Sequence, residues 1–278
     1  MEIKKLVLVL VDISGYTNFI KMHTMSVLHA EAIVTDLLEA VIDHAEYPLT
    51  LSKLEGDAAF LYATMEDERQ AGAAAKDILN QVTKFFEAFR AKERALIACD
   101  ACQCDACDNI DQLKLKAFLH VGETVIKQIR QFEELAGENV ILIHRLLKNS
   151  IPVKEYILLT EAFYELSGGF SEQEAETRIE TCEGIGSVAV KVYYPASDDV
   201  PLPARPQPGP PMPGTEIGEM AARWNDYAVQ RASGQIPRPN FSHLPQVKLT
   251  RLDLWDYFVV GVGENILATI RNRLGLKS

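Results

Sequence analysis

Two aspartates near the start of the chain, Asp12 and Asp57, lie in settings that suit metal-ion and phosphate chemistry. Asp12 follows an apolar run over 6–11 that predicts a buried strand. Gly15 then predicts a turn, and Thr17 predicts the N-cap of a following helix. A carboxylate beside the N–H groups of a helix N-terminus suits hydrated Mg²⁺ and the phosphates it carries, because the ion takes oxygen ligands and the helix end favours anions.

Asp57 follows Gly56 between two β-rich runs, 49–53 and 58–63. A tight hairpin there would bring Asp57 back beside the end of the first strand. Two converging carboxylates are typical of a two-metal phosphoryl-transfer site. Each motif alone also has an ordinary structural interpretation, since aspartate at a strand end is commonly a turn residue or a helix cap, and a Gly-Asp step is a common hairpin.

The apolar pattern predicts the elements that position these carboxylates. Long amphipathic helices are predicted over 27–45 and 67–90. The remaining predictions, in chain order, are a hairpin of 113–121 and 124–129 around Gly122, a short helix over 137–147, a strand over 156–159, and a hairpin over 178–194 that turns at 184–186. This order predicts an α+β fold, a ferredoxin-like βαββαβ two-layer sandwich.

Four segments in this order resemble the catalytic domain of class III nucleotidyl cyclases. They are Asp12-Ile-Ser-Gly-Tyr-Thr, Lys53-Leu-Glu-Gly-Asp57, Phe118-Leu-His-Val-Gly-Glu, and Ala136-Gly-Glu-Asn-Val running on to Arg145. The resemblance covers roughly residues 3–194, so a cyclase-like domain is expected over 1–194. It resembles in particular a divergent bacterial branch of unassigned function with an inserted cysteine cluster.

The resemblance implies a role for each matching residue. Asp12 and Asp57 would hold two Mg²⁺ or Mn²⁺ ions, and Arg145 would stabilise charge on the transferring phosphoryl group. The residues implied to contact the nucleotide and its metals are Ile13 through its carbonyl, Gly15, Tyr16, Thr17, and the base-reading pair Lys53 and Glu134. The implied reaction converts a nucleoside triphosphate, with ATP favoured, to a 3′,5′-cyclic nucleotide and pyrophosphate in a head-to-tail homodimer.

Two departures from the cyclase pattern favour a second interpretation. Ile141 stands where an asparagine should orient the ribose, and Asn139 lies two residues too early, about 200° away on a helix. Glu183 replaces the phosphate-binding lysine expected beside Gly184. The alternatives are therefore a catalytically degenerate homologue that binds a nucleotide, or a signalling or scaffold module.

Four of the five cysteines form a close cluster, Cys99, Cys102, Cys104 and Cys107, within an insert over 96–112. Two Cys-x-x-Cys pairs at this spacing predict a tetrahedral Zn²⁺ site that closes the loop after the second helix. An iron–sulfur cluster is the alternative, because four thiolates also satisfy it. The fifth cysteine, Cys182, is predicted to be a buried apolar residue.

The amino-acid composition limits the kinds of partner that the protein is expected to bind. The net charge of −11 makes nucleic acid or an anionic membrane an unfavourable main partner. No apolar run reaches the eighteen or so residues of a spanning helix, and no cleavage-site pattern follows the N-terminal apolar stretch, so a cytoplasmic location is expected. The proline-rich stretch 195–214 predicts a linker, and 215–278 predicts a helical extension that packs on the domain or mediates dimerisation.

Overall fold

A computed structural model of the chain describes residues 1–22, 27–65, 67–98, 106, 109–195 and 202–203. The four clustered cysteines, most of the predicted linker and the whole predicted extension over 215–278 lie outside the described residues. The elements are β1 (Glu2–Ser14), α1 (Tyr16–Met22), α2 (Val27–Ile42), β2 (Thr50–Glu55), β3 (Ala58–Thr64), α3 (Glu68–Ile97), a 3-10 turn (Ile110–Gln112), β4 (Lys114–Ile129), β5 (Phe132–Ala136), α4 (Glu138–Arg145), β6 (Tyr156–Thr160), α5 (Glu161–Ser167), β7 (Glu176–Cys182) and β8 (Gly186–Tyr193).

The strands form one large mixed sheet in the order β2-β3-β1-β4-β6-β8-β7, with β5 paired to β4. The first four strands pair with one another in antiparallel fashion, and helices follow β1 and β3. β6 then adds parallel to β4. The predicted α+β class is confirmed.

The central strand β1 is buried on both faces. Leu6, Leu8 and Leu10 pack with Leu142 and Ile143 of α4 in one core cluster. The intervening valines of β1 point to the opposite face, because side chains alternate along a strand. There α2 and α3 pack against each other and against the sheet. Burial on both faces explains why the sequence of β1 is a continuous apolar run rather than an alternating one.

Two local predictions are wrong. β4 continues straight through Gly122, and the chain turns only after Ile129, where Arg130 takes a positive φ of 56°. Gly122 is needed for space instead, since a Cβ there would lie 2.3 Å from the Asn139 side chain of α4. Thr17 is also misplaced as a cap, because α1 begins one residue earlier and Gly15 accepts its first helical hydrogen bond from Phe19.

The two other hairpins form where they were predicted. The first joins β2 to β3 at Gly56 and Asp57, and the second joins β7 to β8 through residues 183–185. Among the described helices, none is both long enough and apolar enough to cross a membrane.

Candidate functional site

The hairpin between β2 and β3 places Asp57 beside the end of β1. Asp12 lies opposite Ala58 of β3, and the next residue, Ile13, donates its backbone N–H to the carbonyl of Asp57 at 3.1 Å. A backbone hydrogen bond thus holds together a turn and a strand end that are 45 positions apart in the sequence. The two aspartates stand next to each other because main-chain pairing fixes them there.

The two carboxylates differ in their electrostatic surroundings. Asp12 forms an ion pair with Lys116 of β4, whose Nζ lies 2.9 Å from Oδ2. Both side chains are largely buried, with 13% of Asp12 and 16% of Lys116 exposed. The described residues offer Asp57 no ion pair. Burial, followed by the charge of Asp12, raises the pKa of Asp57 to about 6, even though Lys116 acts to lower it.

This pair of carboxylates fits the Mg²⁺ ions that the fold resemblance implies. Mg²⁺ is usually held by only one or two protein carboxylates, together with substrate phosphates. A bound cation would relieve the repulsion that raises the pKa of Asp57. No larger cluster of three or more His, Cys, Asp or Glu side chains suited to a metal occurs within the described part of the chain.

The loop after Asp12 is fixed by contacts that the sequence did not reveal. Gly15 has a φ of +94°, and a Cβ there would lie 2.9 Å from the backbone oxygen of Gln112. Tyr16 donates its hydroxyl hydrogen to Glu31 of α2 at 2.8 Å. That hydrogen bond, with burial and the charge of Glu31, raises the pKa of Tyr16 to about 12. Thr17 is exposed within the first turn of α1.

The predicted base-reading lysine forms an ion pair with a residue of its own chain. Lys53 lies 2.8 Å from Glu55, two residues along β2. The second carboxylate oxygen of Glu55 lies 3.0 Å from Nε2 of His144 on α4. Neither partner was predicted from the sequence, and nothing local could have revealed His144, which is 89 positions from Glu55.

The predicted phosphoryl-stabilising residue is also paired. Arg145, the last residue of α4, lies 3.1 Å from Glu183 at the tip of the β7–β8 hairpin. The pair is solvent-exposed, at 42% for Arg145 and 85% for Glu183, so its strength is small and screened. Glu183 nevertheless places a negative charge beside the arginine. Ile141, on the same helix, is 53% exposed.

Glu134 and Lys53 lie on strands that approach each other, β5 and β2. Glu134 lies on β5 opposite Lys127 of β4, and no hydrogen bond or ion pair joins it to Lys53 among the described residues. Its neighbour Glu133 instead accepts a hydrogen bond of 2.6 Å from Tyr62 of β3.

Asn139, the asparagine that falls early in the cyclase pattern, has a structural role. Its Nδ2 donates to the carbonyl of Glu123 at 2.7 Å, so its Oδ1 accepts from Nε2 of His120 at 2.8 Å. The other ring nitrogen of His120 lies 2.9 Å from the hydroxyl of Thr160. Burial lowers the pKa of His120, although the bond to Asn139 acts against it. This network joins α4 to the sheet and engages both polar atoms of the Asn139 side chain in contacts within the chain.

Comparisons with other sequences match the chain to proteins without an assigned function. A family model described as a protein of unknown function (DUF2652) matches residues 34–156. The uncharacterized protein Rv2561/Rv2562 of Mycobacterium tuberculosis (strain ATCC 25618 / H37Rv) is 33% identical over 173 residues, which are 62% of this chain and 78% of that protein.

Comparisons with solved structures match the chain to cyclases. The adenylyl cyclase CyaB from P. aeruginosa aligns with a TM-score of 0.53 at 16% identity, over 72% of this chain and 98% of that structure. A bacterial light-regulated adenylyl cyclase aligns with a TM-score of 0.50 at 11% identity, over 81% of this chain and 57% of that structure. At these identities the likeness establishes the fold, which is that of a cyclase catalytic domain.

Proposed function

The chain belongs to the same family as the mycobacterial protein Rv2561/Rv2562. From this premise and the cyclase fold we propose that it is a nucleotidyl cyclase. The protein converts a nucleoside triphosphate, preferably ATP, to a 3′,5′-cyclic nucleotide and pyrophosphate. The 3′-oxygen of the ribose attacks the α-phosphorus in line, a new P–O bond forms, and the bond to the pyrophosphate oxygen breaks.

The observation that carries this proposal is the convergence of Asp12 and Asp57. Two adjacent carboxylates with a single lysine between them leave the site short of positive charge, and burial makes that shortage costly. A structural scaffold gains nothing from such an arrangement, whereas a metal–nucleotide complex supplies the missing charge. Bound Mg²⁺ or Mn²⁺ would lower the pKa of the attacking hydroxyl and neutralise the leaving phosphates.

The other residues of the chain act around these two carboxylates. Lys116 supplies the cationic partner of Asp12 and fixes the direction of its carboxylate through their 2.9 Å ion pair. The backbone bond from Ile13 to Asp57 sets the spacing of the carboxylates. The carbonyl of Ile13, the glycine turn at Gly15 and the exposed Thr17 are assigned to the metal and phosphate side of the same loop. Arg145 is assigned to the charge that develops on the phosphoryl group.

A homodimer follows from this assignment. Arg145, Lys53 and Glu134 lie on α4, β2 and β5, whereas the aspartates lie at the end of β1, and the described ion pairs do not connect the two groups within one chain. We therefore assign the metal-holding half of a site to one protomer and the nucleotide-reading half to its partner. Exposed apolar side chains beside the reading half support a protein contact there: Ile129, Phe132 and Ile141.

A second candidate function is nucleotide binding without turnover. The pairing of Arg145 with Glu183 favours it, because the arginine is already neutralised in part and the expected lysine is absent. The exposed Ile141 offers the ribose no hydrogen bond. In this alternative the protein signals by binding, or serves as a scaffold.

The four clustered cysteines are proposed to hold a structural Zn²⁺, with an iron–sulfur cluster as the alternative. Their spacing alone supports this, since Cys99, Cys102, Cys104 and Cys107 lie outside the described residues. Metal analysis and absorption spectroscopy of the purified protein distinguish a colourless zinc site from a coloured cluster.

The test of the proposed function is product analysis by mass spectrometry. Purified protein is incubated separately with ATP, GTP, CTP and UTP, in Mg²⁺ and in Mn²⁺. A cyclic product that forms with the wild type and disappears in Asp57→Ala would establish the activity and its base preference. If folded protein forms no product under any condition, catalysis is excluded, and tight binding of a triphosphate would then support the second candidate.

A further inference from the structure

The two edges of the sheet are built differently. β2 forms one edge, and β7 forms the other. β2 has a bulge between Leu51 and Lys53, which interrupts its pairing with β3 and leaves a lysine in the edge strand. Bulges and lysines are features by which natural proteins keep an edge strand from pairing with another chain. β2 is therefore poorly suited to accept a further strand.

β7 has none of these protective features. Its seven residues, Glu176–Cys182, include no lysine and no proline, and all of them pair with β8 in one unbroken register. Among the described residues, β8 is the only strand that pairs with it. The outward N–H and C=O groups of such a strand are a template for one more strand. Of the two edges, the one at β7 is thus the better suited to a partner strand.

One face of β7 carries a row of charged side chains that are held in place. The Nε of Arg178 lies 3.2 Å from Glu180, and its Nη1 lies 2.8 Å from Glu176. Its Nη2 donates to the hydroxyl oxygen of Ser150 at 2.9 Å. The positive charge of the strand therefore lies at a fixed position between two negative ones.

The opposite face of β7 is exposed. It carries three β-branched residues, Thr177, Ile179 and Thr181. Ile179, in the middle of the strand, is 71% exposed, and its partner on β8, Ala189, is exposed as well. β-branched residues favour strands, and pairs of them across neighbouring strands stabilise a sheet. A strand added at this edge would place its own side chains beside Ile179 and cover it.

The sequence of β7 is complementary to itself in an antiparallel arrangement. When two copies pair about a two-fold axis at Ile179, Arg178 of each copy lies opposite Glu180 of the other. Thr177 then lies opposite Thr181, and the two Ile179 side chains lie opposite each other. Opposite charges and β-branched pairs directly across a sheet are both favourable. All seven residues of the strand are paired in this register.

The two neighbouring registers of the same symmetry are unfavourable. An axis at Arg178 would place the two arginines opposite each other and Glu176 opposite Glu180, and an axis at Glu180 would place the two glutamates opposite each other. Like charges directly across a sheet are destabilising. Each shift also shortens the pairing from seven residues to the five of 176–180 or 178–182. Charge therefore selects the register centred on Ile179.

We propose that β7 is an interface for a second copy of this chain, whose own β7 pairs with it antiparallel about Ile179. The two eight-stranded sheets then join into one continuous sheet. This contact is separate from the surface assigned above to the nucleotide site, because β6 and β8 lie between β7 and β4. It requires no nucleotide, and it does not depend on the proposed cyclase activity. When both contacts form, each copy touches two others.

Disulfide trapping tests the contact and its register. The full chain carrying Ile179→Cys is oxidised mildly, and the linked peptides are identified by mass spectrometry, which separates them from those of the native cysteines. Directly opposite Cα atoms of an antiparallel pair lie about 4.5–5.5 Å apart, which a disulfide can span. Ile179→Cys should therefore form a link between two copies through position 179. Absence of that linked peptide would overturn the proposal.

Thr177 provides the matched control, because it is exposed on the same face of the same strand. In the proposed register it is displaced from Thr177 of the second copy by four residues, or about 13 Å along the strand. Thr177→Cys alone should therefore form no link at position 177. A mixture of Thr177→Cys with Thr181→Cys should link 177 to 181. Equal yields of the 177–177 and 179–179 links would overturn the register.

Sedimentation equilibrium over a series of protein concentrations measures the strength of the contact. Ile179→Lys should weaken association through this edge by about 100-fold, because an apolar contact is lost and like charges then lie opposite each other. Tyr47→Lys changes the net charge equally at a position that is 93% exposed and lies outside the sheet, and it should associate like the wild type. Equal association of all three proteins would overturn the proposal.

A different occupant of the edge would give a different result. If another segment of the same chain covered β7, no link between copies would form at position 179, Ile179→Lys would leave the association unchanged, and the proposal would fail. If Ile179→Lys folds poorly, the trapping experiment decides alone, since cysteine is a smaller change at this exposed position. Failure of this proposal leaves the proposed function intact, because the product analysis with Asp57→Ala does not involve β7.

Discussion

The two halves of the candidate site have opposite charge arrangements. At the end of β1, Asp12 and Asp57 have Lys116 as their one cationic partner in the described structure, and Asp57 remains partly unneutralised. On β2 and α4, by contrast, each cation has an acid of its own chain beside it: Glu55 for Lys53 and Glu183 for Arg145. The first half lacks positive charge, and the second is held close to neutral until a ligand competes.

This difference implies that the two halves would bind their ligands for different electrostatic reasons. A metal ion is favoured at the aspartates because it removes a repulsion that is already present. A triphosphate at the other half must first displace two acids. Binding of the metal and binding of the phosphate are thus expected to depend on each other, since the metal supplies charge that the second half does not have in excess.

The largest effect is expected from removing a carboxylate of the first half. Asp12→Asn should lower cyclic-nucleotide formation by at least about 100-fold, because the metal loses a charged ligand and Lys116 loses its anion. Product formation by mass spectrometry measures it, with Asp43→Asn, an exposed aspartate after α2, as the control. Wild-type rates in Asp12→Asn would show that the metal-holding half lies elsewhere.

Affinity for a triphosphate is expected to rise when the negative charge beside Arg145 is replaced by a positive one. Glu183→Lys should free Arg145 and add a cation, and should tighten the binding of α,β-methylene-ATP by about 10-fold. Glu172→Lys changes the net charge equally at an exposed position away from Arg145, and should have little effect. Equal tightening in both variants would mean that net charge, rather than the Arg145–Glu183 pair, controls affinity.

The charge shortage at Asp57 should also appear as a dependence of stability on pH. The folded-state pKa, about 6, lies above the ordinary value of 3.8, so the folded protein retains a proton that the unfolded chain has lost between these values. Stability due to this group is present below about pH 4 and is lost as the pH rises to about 6. Without divalent ions, Asp57→Asn should therefore be more stable than the wild type at pH 7.5, by roughly 1 kcal/mol after solvent screening.

Thermal denaturation at pH 4 and at pH 7.5 measures this difference. The melting temperatures of the wild type and Asp57→Asn should approach each other at the acidic pH, and added Mg²⁺ should raise only that of the wild type. An equal difference in melting temperature between the two proteins at both values of pH would mean that the charge of Asp57 does not destabilise the folded protein.

The smallest expected effect is on the free energy of unfolding, and it comes from the loop that follows Asp12. Tyr16→Phe removes the 2.8 Å hydrogen bond to Glu31 and should cost about 1 kcal/mol in the free energy of unfolding. Tyr47→Phe is the control, because Tyr47 is 93% exposed. Denaturant titration compares the two, and equal stabilities would show that the bond to Glu31 contributes nothing net.

The sequence sufficed for the first half and for most of the fold because the evidence there is local. The apolar run before Asp12 and the Gly-Asp step at 56–57 each specify an element, and two such elements are enough to bring the aspartates together. The cations and acids of the second half could not be paired in advance. Glu55 meets His144 only after α4 has packed on the sheet, and the short distance depends on side-chain directions that no local pattern encodes.

Gly122 shows the same limit within a single residue. A glycine between two apolar runs predicts a turn, whereas here the strand is straight and the glycine makes room for a side chain of another element. A turn glycine is identified from its neighbours in sequence. A glycine that makes room is identified only from its neighbours in space.

The contact between Gly122 and Asn139 also limits which substitutions the family can accept during evolution. A side chain at position 122 would overlap the asparagine, and losing the asparagine would leave Nε2 of His120 without its acceptor and the carbonyl of Glu123 without its donor. Neither position is free to change first. In an alignment of the family, glycine at 122, histidine at 120 and asparagine at 139 should be inherited together, and lineages that lack one should lack all three.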